Sequence, residues 1–280
     1  MRELHVNQIT EAVARLAEET NSFLGEDVCR RIALCREQED WPIAGDILKK
    51  IEENIQIAGE EGLPLCQDTG MACVFLEVGQ DVHLVGGNLE DAVNEGVRRG
   101  YTEGYLRKSV VRDPIRRGNT GDNTPAHIHT EIVPGDRVKI IVAPKGFGSE
   151  NMSQIRMFPP SAGEEGVKDF IVRCVEEAGA NPCPPIVVGV GIGGTFDRAA
   201  LMAKQALLVP LDESHPDEYY AAMEEELLER INGLGIGPQG FGGRTTALAV
   251  KIKTYPTHIA GMPVAVNINC HVSRHGEVIL

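Results

Sequence analysis

Three prolines crowd one cysteine in Asn181-Pro182-Cys183-Pro184-Pro185. Each proline fixes its own φ and removes an amide donor, so neither a helix nor an interior strand can run through these five residues. Ile186 to Val190 then reads as a strand, and Gly191-Ile192-Gly193-Gly194-Thr195 opens a helix. Helix packing does not explain a cysteine held in such a turn. A rigid thiolate site does.

The chain has seven cysteines. Four of them fall where small apolar residues belong: Cys29 and Cys35 in a helix over 27–37, Cys73 in a strand over 72–78, and Cys174 on the apolar stripe of a helix over 163–178. Cys66, Cys183 and Cys270 stand apart, each in a turn or at a strand end among Pro, Gly or polar residues. Cys66 lies in Leu63-Pro64-Leu65-Cys66-Gln67-Asp68-Thr69-Gly70, one residue from an amide and two from a carboxylate. A thiolate can hold a soft metal, and a neighbouring carboxyl group can move a proton at whatever the metal binds. The N-terminal residues have no apolar core of signal-peptide type, which points to a cytoplasmic protein without disulfides.

With 280 residues, 42% of them hydrophobic and 24% charged, the chain suits one large or two ordinary globular domains. Its net charge of −14 argues against non-specific binding to nucleic acid or an anionic membrane, and no apolar run is long enough to span a bilayer. One window runs against the acidic balance. Residues 107–117 hold Arg107, Lys108, Arg112, Arg116 and Arg117 against the single acid Asp113, which reads either as a solvated loop or as a cradle for carboxylates. The turn-forming run Asn119-Thr120-Gly121-Asp122-Asn123-Thr124-Pro125 follows. Further on, Pro144-Lys145-Gly146-Phe147-Gly148-Ser149-Glu150-Asn151 offers a charge among small residues that let a ligand approach the backbone.

Periodicity makes the first 62 residues helical, a possible subdomain (1–62) within one domain spanning 1–280. Asp46 is expected to cap the third helix. Strands are expected over 72–78 and 81–85 around Gly79-Gln80, a hairpin-sized gap, and over 128–133 and 137–143 joined by Pro134-Gly135. Asn88 should cap a helix whose Gly96, Gly100 and Gly104 make one smooth face. Further strands are expected over 246–253 and 263–269, the last delivering Cys270. The fold class is α+β: a helical N-terminal part packed beside mixed, partly antiparallel β-sheets, and not a doubly wound parallel sheet.

Three chemistries remain open from the residues. Three distant thiolates suit a [4Fe–4S] cluster with one iron left without a protein ligand, hence Lewis-acid chemistry on water addition or elimination. Three cysteines with His258 or His271 could hold zinc in a binding module. Gly189-x-Gly191-x-x-Gly194, with Asp212 downstream, also fits a dinucleotide fingerprint and so a nicotinamide-dependent oxidoreductase.

The order and content of several motifs select among these. Cys66-Gln67-Asp68-Thr69-Gly70, Asn119 to Pro125, Gly148-Ser149-Glu150-Asn151, Asn181 to Pro185, Gly191-Ile192-Gly193-Gly194, Pro256-Thr257-His258-Ile259-Ala260 and Cys270-His271 span nearly the whole chain. In them the sequence resembles the α subunit, or N-terminal domain, of class I fumarate hydratase and of the related L-tartrate dehydratase. Phe147 departs from the pattern, which has glycine there. The resemblance implies that Cys66, Cys183 and Cys270 hold a [4Fe–4S] cluster. It implies that Gln67 and Asp68 face the substrate, that Asp68 moves a proton, that Arg107 holds a carboxylate and that His258 lines the pocket. Lys145, Gly146, Gly148 and Asn119 would shape the substrate site. The implied activity is reversible hydration of fumarate to (S)-malate, a step of the tricarboxylic acid cycle, with L-tartrate or mesaconate as alternative substrates. A separate β subunit carrying the second, C-terminal-type domain is also implied, in a hetero-oligomer.

Overall fold

The computed structural model describes all of residues 1–280. They form two compact units, the first from Met1–Leu24, Ile55–Phe147 and Arg274–Leu280, the second from Gly25–Asn54 and Gly148–Ser273. In chain order the elements are β1 (Arg2–His5), α1 (Val6–Ser22), α2 (Glu26–Gln38), α3 (Pro42–Glu61), β2 (Met71–Gly79), β3 (Val82–Val85), α4 (Leu89–Glu103), β4 (His127–Val133) and β5 (Val138–Lys145). They continue with α5 (Phe147–Glu150), β6 (Gln154–Phe158), α6 (Gly163–Ala178), β7 (Ile186–Gly193), α7 (Phe196–Ala206), α8 (Glu218–Asn232), β8 (Ala247–Tyr255), β9 (Met262–Asn269) and β10 (Gly276–Ile279). The fold is α+β, with parallel and antiparallel pairs mixed in both four-stranded sheets.

In the first unit the sheet order is β10-β5-β2-β4, and β1 pairs with β3 in a separate parallel ribbon. Two expected hairpins are corrected here. β2 and β3 do not pair with each other, because β3 turns away to β1. β4 and β5 do not pair either, because β2 lies between them, parallel to β4 and antiparallel to β5. The cause is burial: Ala72 to Leu76 of β2 are all buried, so this strand needs a partner on each edge. The Pro134-Gly135 turn straddles the end of β2, with Gln80 N–H donating to Val133 O and Gly79 N–H to Arg137 O, both at 2.8 Å.

Helices α1 and α4 pack on this sheet through Ile9, Val13, Leu16, Val93 and Val97. The Asn88 side chain caps α4 as expected, accepting from Glu90 N and Asp91 N. The glycine face of α4 meets α1 closely. A Cβ at Gly96 would come within 2.7 Å of Thr10 O, and one at Gly100 within 2.6 Å of Ala14 O. Backbone thus lies against backbone, which only glycine permits.

In the second unit the sheet order is β6-β9-β7-β8. Helix α7 lies directly on β7, where Cβ atoms at Gly189 and Gly191 would fall 2.2 Å and 2.1 Å from the carbonyls of Ala203 and Ala199. These glycines are therefore packing devices inside the strand, not a phosphate-binding turn after it. Asp212 is engaged in an ion pair with Arg30 at 2.7 Å. Both observations remove the support for the dinucleotide reading. Cys174 is buried among Phe170, Ile171 and Val175 on α6, as expected.

The stretch 1–62 is helical from Val6, and its helices are shared out: α1 belongs to the first unit, and α2 with most of α3 to the second. Asp46 is inside α3, which starts instead at Pro42, where the missing amide is harmless. β1, β6 and β10 are strands without a sequence expectation. No helix is long and apolar enough to cross a membrane.

Gly100→Ala is expected to lower unfolding stability by about 1–3 kcal/mol through overpacking against α1. Gly45→Ala is expected to be neutral or to raise it by up to about 1 kcal/mol, since a Cβ there meets nothing within 4 Å and glycine is a poor helix former. Chemical denaturation of the two variants checks the opposite signs.

Candidate functional site

In the first unit, the turn from Cys66 to Gly70 has all its carbonyls from Asp68 onward claimed by side chains of distant segments. Arg274 Nη2 donates to Asp68 O at 2.7 Å. The Tyr101 hydroxyl reaches Thr69 O at 2.8 Å and Gly70 O at 3.1 Å. Asn123 Nδ2 also donates to Gly70 O at 3.1 Å, while its Oδ1 accepts from Ser109 N at 2.7 Å and Val110 N at 3.2 Å. Tyr101 and Asn123 are fully buried. Gly70 has φ +75°, and a Cβ on it would meet the Lys145 backbone at 2.8 Å, so the turn fits nothing larger there.

Two side chains on this turn are thereby aimed. The Cys66 Sγ, half-buried, accepts from Asp68 N–H at 3.4 Å. The Asp68 carboxylate accepts at both oxygens, from Gly70 N at 3.1 Å and from Phe147 N at 3.0 Å. Phe147 contributes through its backbone while the residue is 47% exposed, so the departure from glycine leaves this bond intact. Gly146 sits beside the same carboxylate, where a Cβ would be 3.4 Å from Asp68 Oδ2. Gln67 is exposed next to it, and Lys145 is buried at the end of β5.

Arg107 is tied to this turn through its backbone, its N–H donating to Thr69 Oγ1 at 2.9 Å and its carbonyl accepting from Thr69 Oγ1 at 3.3 Å. Its side chain is exposed and forms no ion pair. Asn119 closes the basic loop, with Nδ2 donating to Lys108 O at 3.0 Å and Oδ1 accepting from Gly121 N at 2.7 Å. Its amide is therefore occupied by backbone. Arg116 is held by Asp113 at 2.9 Å, an exposed pair of the solvated kind.

The second unit carries Gly148, Cys183, His258 and Cys270. Cys183 is exposed, with φ +56°, just before a cis Pro184–Pro185 peptide. The segment after β9 returns to it. His271 Nδ1 lies 3.0 Å from Cys183 O, and His271 N–H donates to the same carbonyl at 3.4 Å. Gln239 braces both, its Nε2 donating to Pro184 O at 2.8 Å and lying 3.3 Å from His271 Nδ1. The turns bearing Cys183 and Cys270 are thus joined. Gly148 is near them, 3.6 Å from Asn181 O if given a Cβ. His258 is exposed in the β8–β9 loop, its Nδ1 accepting from Ala260 N at 3.2 Å, which leaves Nε2 to carry the ring proton. Thr257 Oγ1 ties the loop to Gly194 O at 2.9 Å.

The other cysteines are different in kind. Burial pushes the thiols of Cys29 and Cys35 up, and that of Cys174 to about 12, so these stay protonated. Neither unit by itself gathers three or more His, Cys, Asp or Glu side chains in metal-ligating fashion. The donor set nonetheless fits an iron–sulfur group on two observations. Three cysteines stand outside the apolar cores, on turns held by hydrogen bonds. Beside the Cys66 turn, Arg274 is buried with Nε and Nη1 lacking any hydrogen-bond partner, which suits an electron-rich neighbour.

Tyr101, Asn123, Gln239 and Arg274 were not singled out by sequence reasoning. Asn123 lies within the Asn119–Pro125 motif, where its type was noted but not its position. Tyr101 falls at helical spacing on the apolar side of α4, and nothing in that spacing marks its hydroxyl.

Comparison with known proteins gives one consistent result. Residues 10–279 match the family described as fumarate hydratase (fumerase). A protein of Methanocaldococcus jannaschii, provisionally named L(+)-tartrate dehydratase subunit alpha, is 42% identical over 95% of this chain and 95% of its own length. The L(+)-tartrate dehydratase subunit alpha of Escherichia coli O157:H7 is 32% identical over 98% of this chain and 91% of its own. That of Escherichia coli strain K12 is 31% identical over the same shares.

Tyr101→Phe leaves the buried Thr69 carbonyl without its side-chain donor, while Gly70 O keeps Asn123, and is expected to cost about 1–3 kcal/mol of stability. Urea titration against the parent protein measures it, and an unchanged midpoint would mean that the hydroxyl does not hold the turn.

Proposed function

The chain belongs to the fumarate hydratase (fumerase) family and is a hydro-lyase α subunit; from this premise we propose that it eliminates and adds water at the C2–C3 bond of a short dicarboxylate, with a [4Fe–4S] cluster and a separate β subunit. The observation that carries the reading is the Asp68 carboxylate, fixed at both oxygens two residues after Cys66.

Cys66, Cys183 and Cys270 would hold the cluster. When bound, such a group supplies a Lewis acid at the iron that no protein residue closes, for a leaving hydroxyl and a carboxylate oxygen. The remaining work falls to side chains. Asp68, oriented by two amide N–H groups, belongs to the relay that moves the proton of the eliminated or added water. Gln67, exposed beside it, is a hydrogen-bonding partner for substrate oxygen. Arg107 grips a substrate carboxylate: its guanidinium is free of ion pairs and its backbone is fixed to the catalytic turn, so the fork is available and anchored. His258, with Nδ1 engaged by backbone, presents Nε2–H as a donor. Lys145, Gly146, Gly148 and Asn119 shape the walls, Asn119 by holding the loop rather than by touching substrate.

The names of the relatives favour L(+)-tartrate as substrate. Loss of one hydroxyl together with the hydrogen on the neighbouring carbon leaves the second hydroxyl on a double bond, an enol that becomes a 2-oxo dicarboxylate. The family match favours the fumarate–malate pair as the second reading. The β subunit comes from the relatives' naming as α subunits and from the resemblance, in which a second domain completes the site. A cytoplasmic setting fits the same reading, since a reducing compartment keeps cysteine thiols free to hold iron.

Anaerobic co-expression with the β chain, followed by assays on L-tartrate, malate and mesaconate, decides the substrate. The expected product is a brown complex active on one of the three, and a colourless complex inert on all three would overturn the proposal. Asp68→Asn should keep the iron and cut turnover by roughly 10²–10⁴-fold. Near-normal turnover at full iron content would remove Asp68 from the proton relay.

A further inference from the structure

Arg274 is a buried charge for which the reaction above has no use. It is 4% exposed. Its Nη2 donates to Asp68 O at 2.7 Å, and its Nε and Nη1 have no hydrogen-bond partner. It forms no ion pair. A guanidinium closed off from water, unpaired and with donors unused, is strongly unfavourable unless something electron-rich completes it.

The geometry limits what that can be. Holding one backbone carbonyl asks only for a neutral donor, so the tether to Asp68 does not account for a cation. A ligand that enters and leaves at each turnover is poorly served by a side chain this enclosed. A resident group is served well. The turn that Arg274 grips also carries Cys66, whose sulfur accepts from the amide of the same Asp68. We propose that Arg274 is the positioning residue of the Cys66 turn and the counter-charge of the iron–sulfur group held there, its Nε–H and Nη1–H groups donating to that group's sulfur. The proposal rests on the cluster reading given above.

A positive charge and hydrogen bonds at sulfur stabilise the more negative, reduced form of a cluster and so raise its reduction potential. Arg274→Gln keeps a donor for Asp68 O and removes the charge. Arg274→Lys keeps the charge and loses the fork. The experiment compares the parent and both variants as anaerobically purified complexes with the β subunit. It measures iron and acid-labile sulfide per α chain, the EPR-monitored fraction of reduced cluster at fixed potentials, and the melting temperature of the iron-free protein.

The expected result is that the Gln variant loads iron and shows a reduced-to-oxidised ratio about tenfold lower at a given potential, equivalent to ~59 mV for one electron. The Lys variant stays close to the parent. A Gln variant empty of iron beside a loaded Lys variant would equally support the counter-charge. A loaded Gln variant with the parent's ratio would overturn the proposal and leave Arg274 as a tether, visible only in the melting temperature. Two empty variants whose iron-free forms melt at the parent's temperature would support the fork's hydrogen bonds to the group, and two empty variants that melt lower would overturn the proposal and leave Arg274 as a structural tether. A parent complex without iron and sulfide would instead bring down the cluster reading itself.

Discussion

Three successive carbonyl oxygens, those of Asp68, Thr69 and Gly70, are each taken by a buried side-chain donor from a different stretch of the first unit: Arg274, Tyr101 and Asn123. Everything proposed for this unit depends on that arrangement. A turn between a helix and a strand would ordinarily bond to water and move. Here its polar groups are satisfied inside the protein, so Cys66 and Asp68 are presented from a fixed frame. The donors are themselves placed by packing. Tyr101 is on α4, and α4 can bring it to the turn because Gly96 and Gly100 let that helix lie against the backbone of α1. Arg274 starts the segment that leads into β10 on the same sheet. Helix contact, sheet order and turn geometry are one chain of cause in this unit.

The second unit uses the same kind of physics for Cys183 and Cys270. A proline-bound turn supplies rigidity by covalent means, and Gln239 and His271 tie it to the end of β9 through the carbonyls of Cys183 and Pro184. The glycines of β7 allow α7 to lie on the strand that follows the Cys183 turn. The Gly148–Asn151 motif is anchored beside it, with Glu150 bonded to Lys204 at 2.7 Å and to Asn267 at 2.8 Å. In both units the cysteines proposed as ligands lie where hydrogen bonds hold a turn, and the buried helical ones lie where apolar packing keeps a thiol protonated.

Much of this was legible in the sequence where local chemistry decides the outcome. The Asn88 cap, the glycine face of α4, the core position of Cys174 and the exceptional setting of Cys183 follow from residue type and spacing. The strand pairing was not legible. Pro134-Gly135 makes a good turn, but the strands on either side of it share β2 because a fully buried strand needs both edges covered, and that is a property of the whole sheet. The apparent dinucleotide fingerprint failed for a related reason: glycine spacing records close approach without saying what approaches, and here it is α7. Tyr101, Asn123 and Arg274 stayed hidden because a hydroxyl, an amide and a guanidinium have common surface roles. Only the fold shows them turned inward onto one turn.

The central claim is that three thiolates hold iron with one metal position left for a dicarboxylate. Mössbauer spectroscopy of the iron-57-labelled, anaerobic complex with its β subunit tests this most directly. The account predicts that one of the four cluster irons changes its signal when substrate is added while the other three do not. Four irons that ignore substrate, or a spectrum without a cluster, would contradict it.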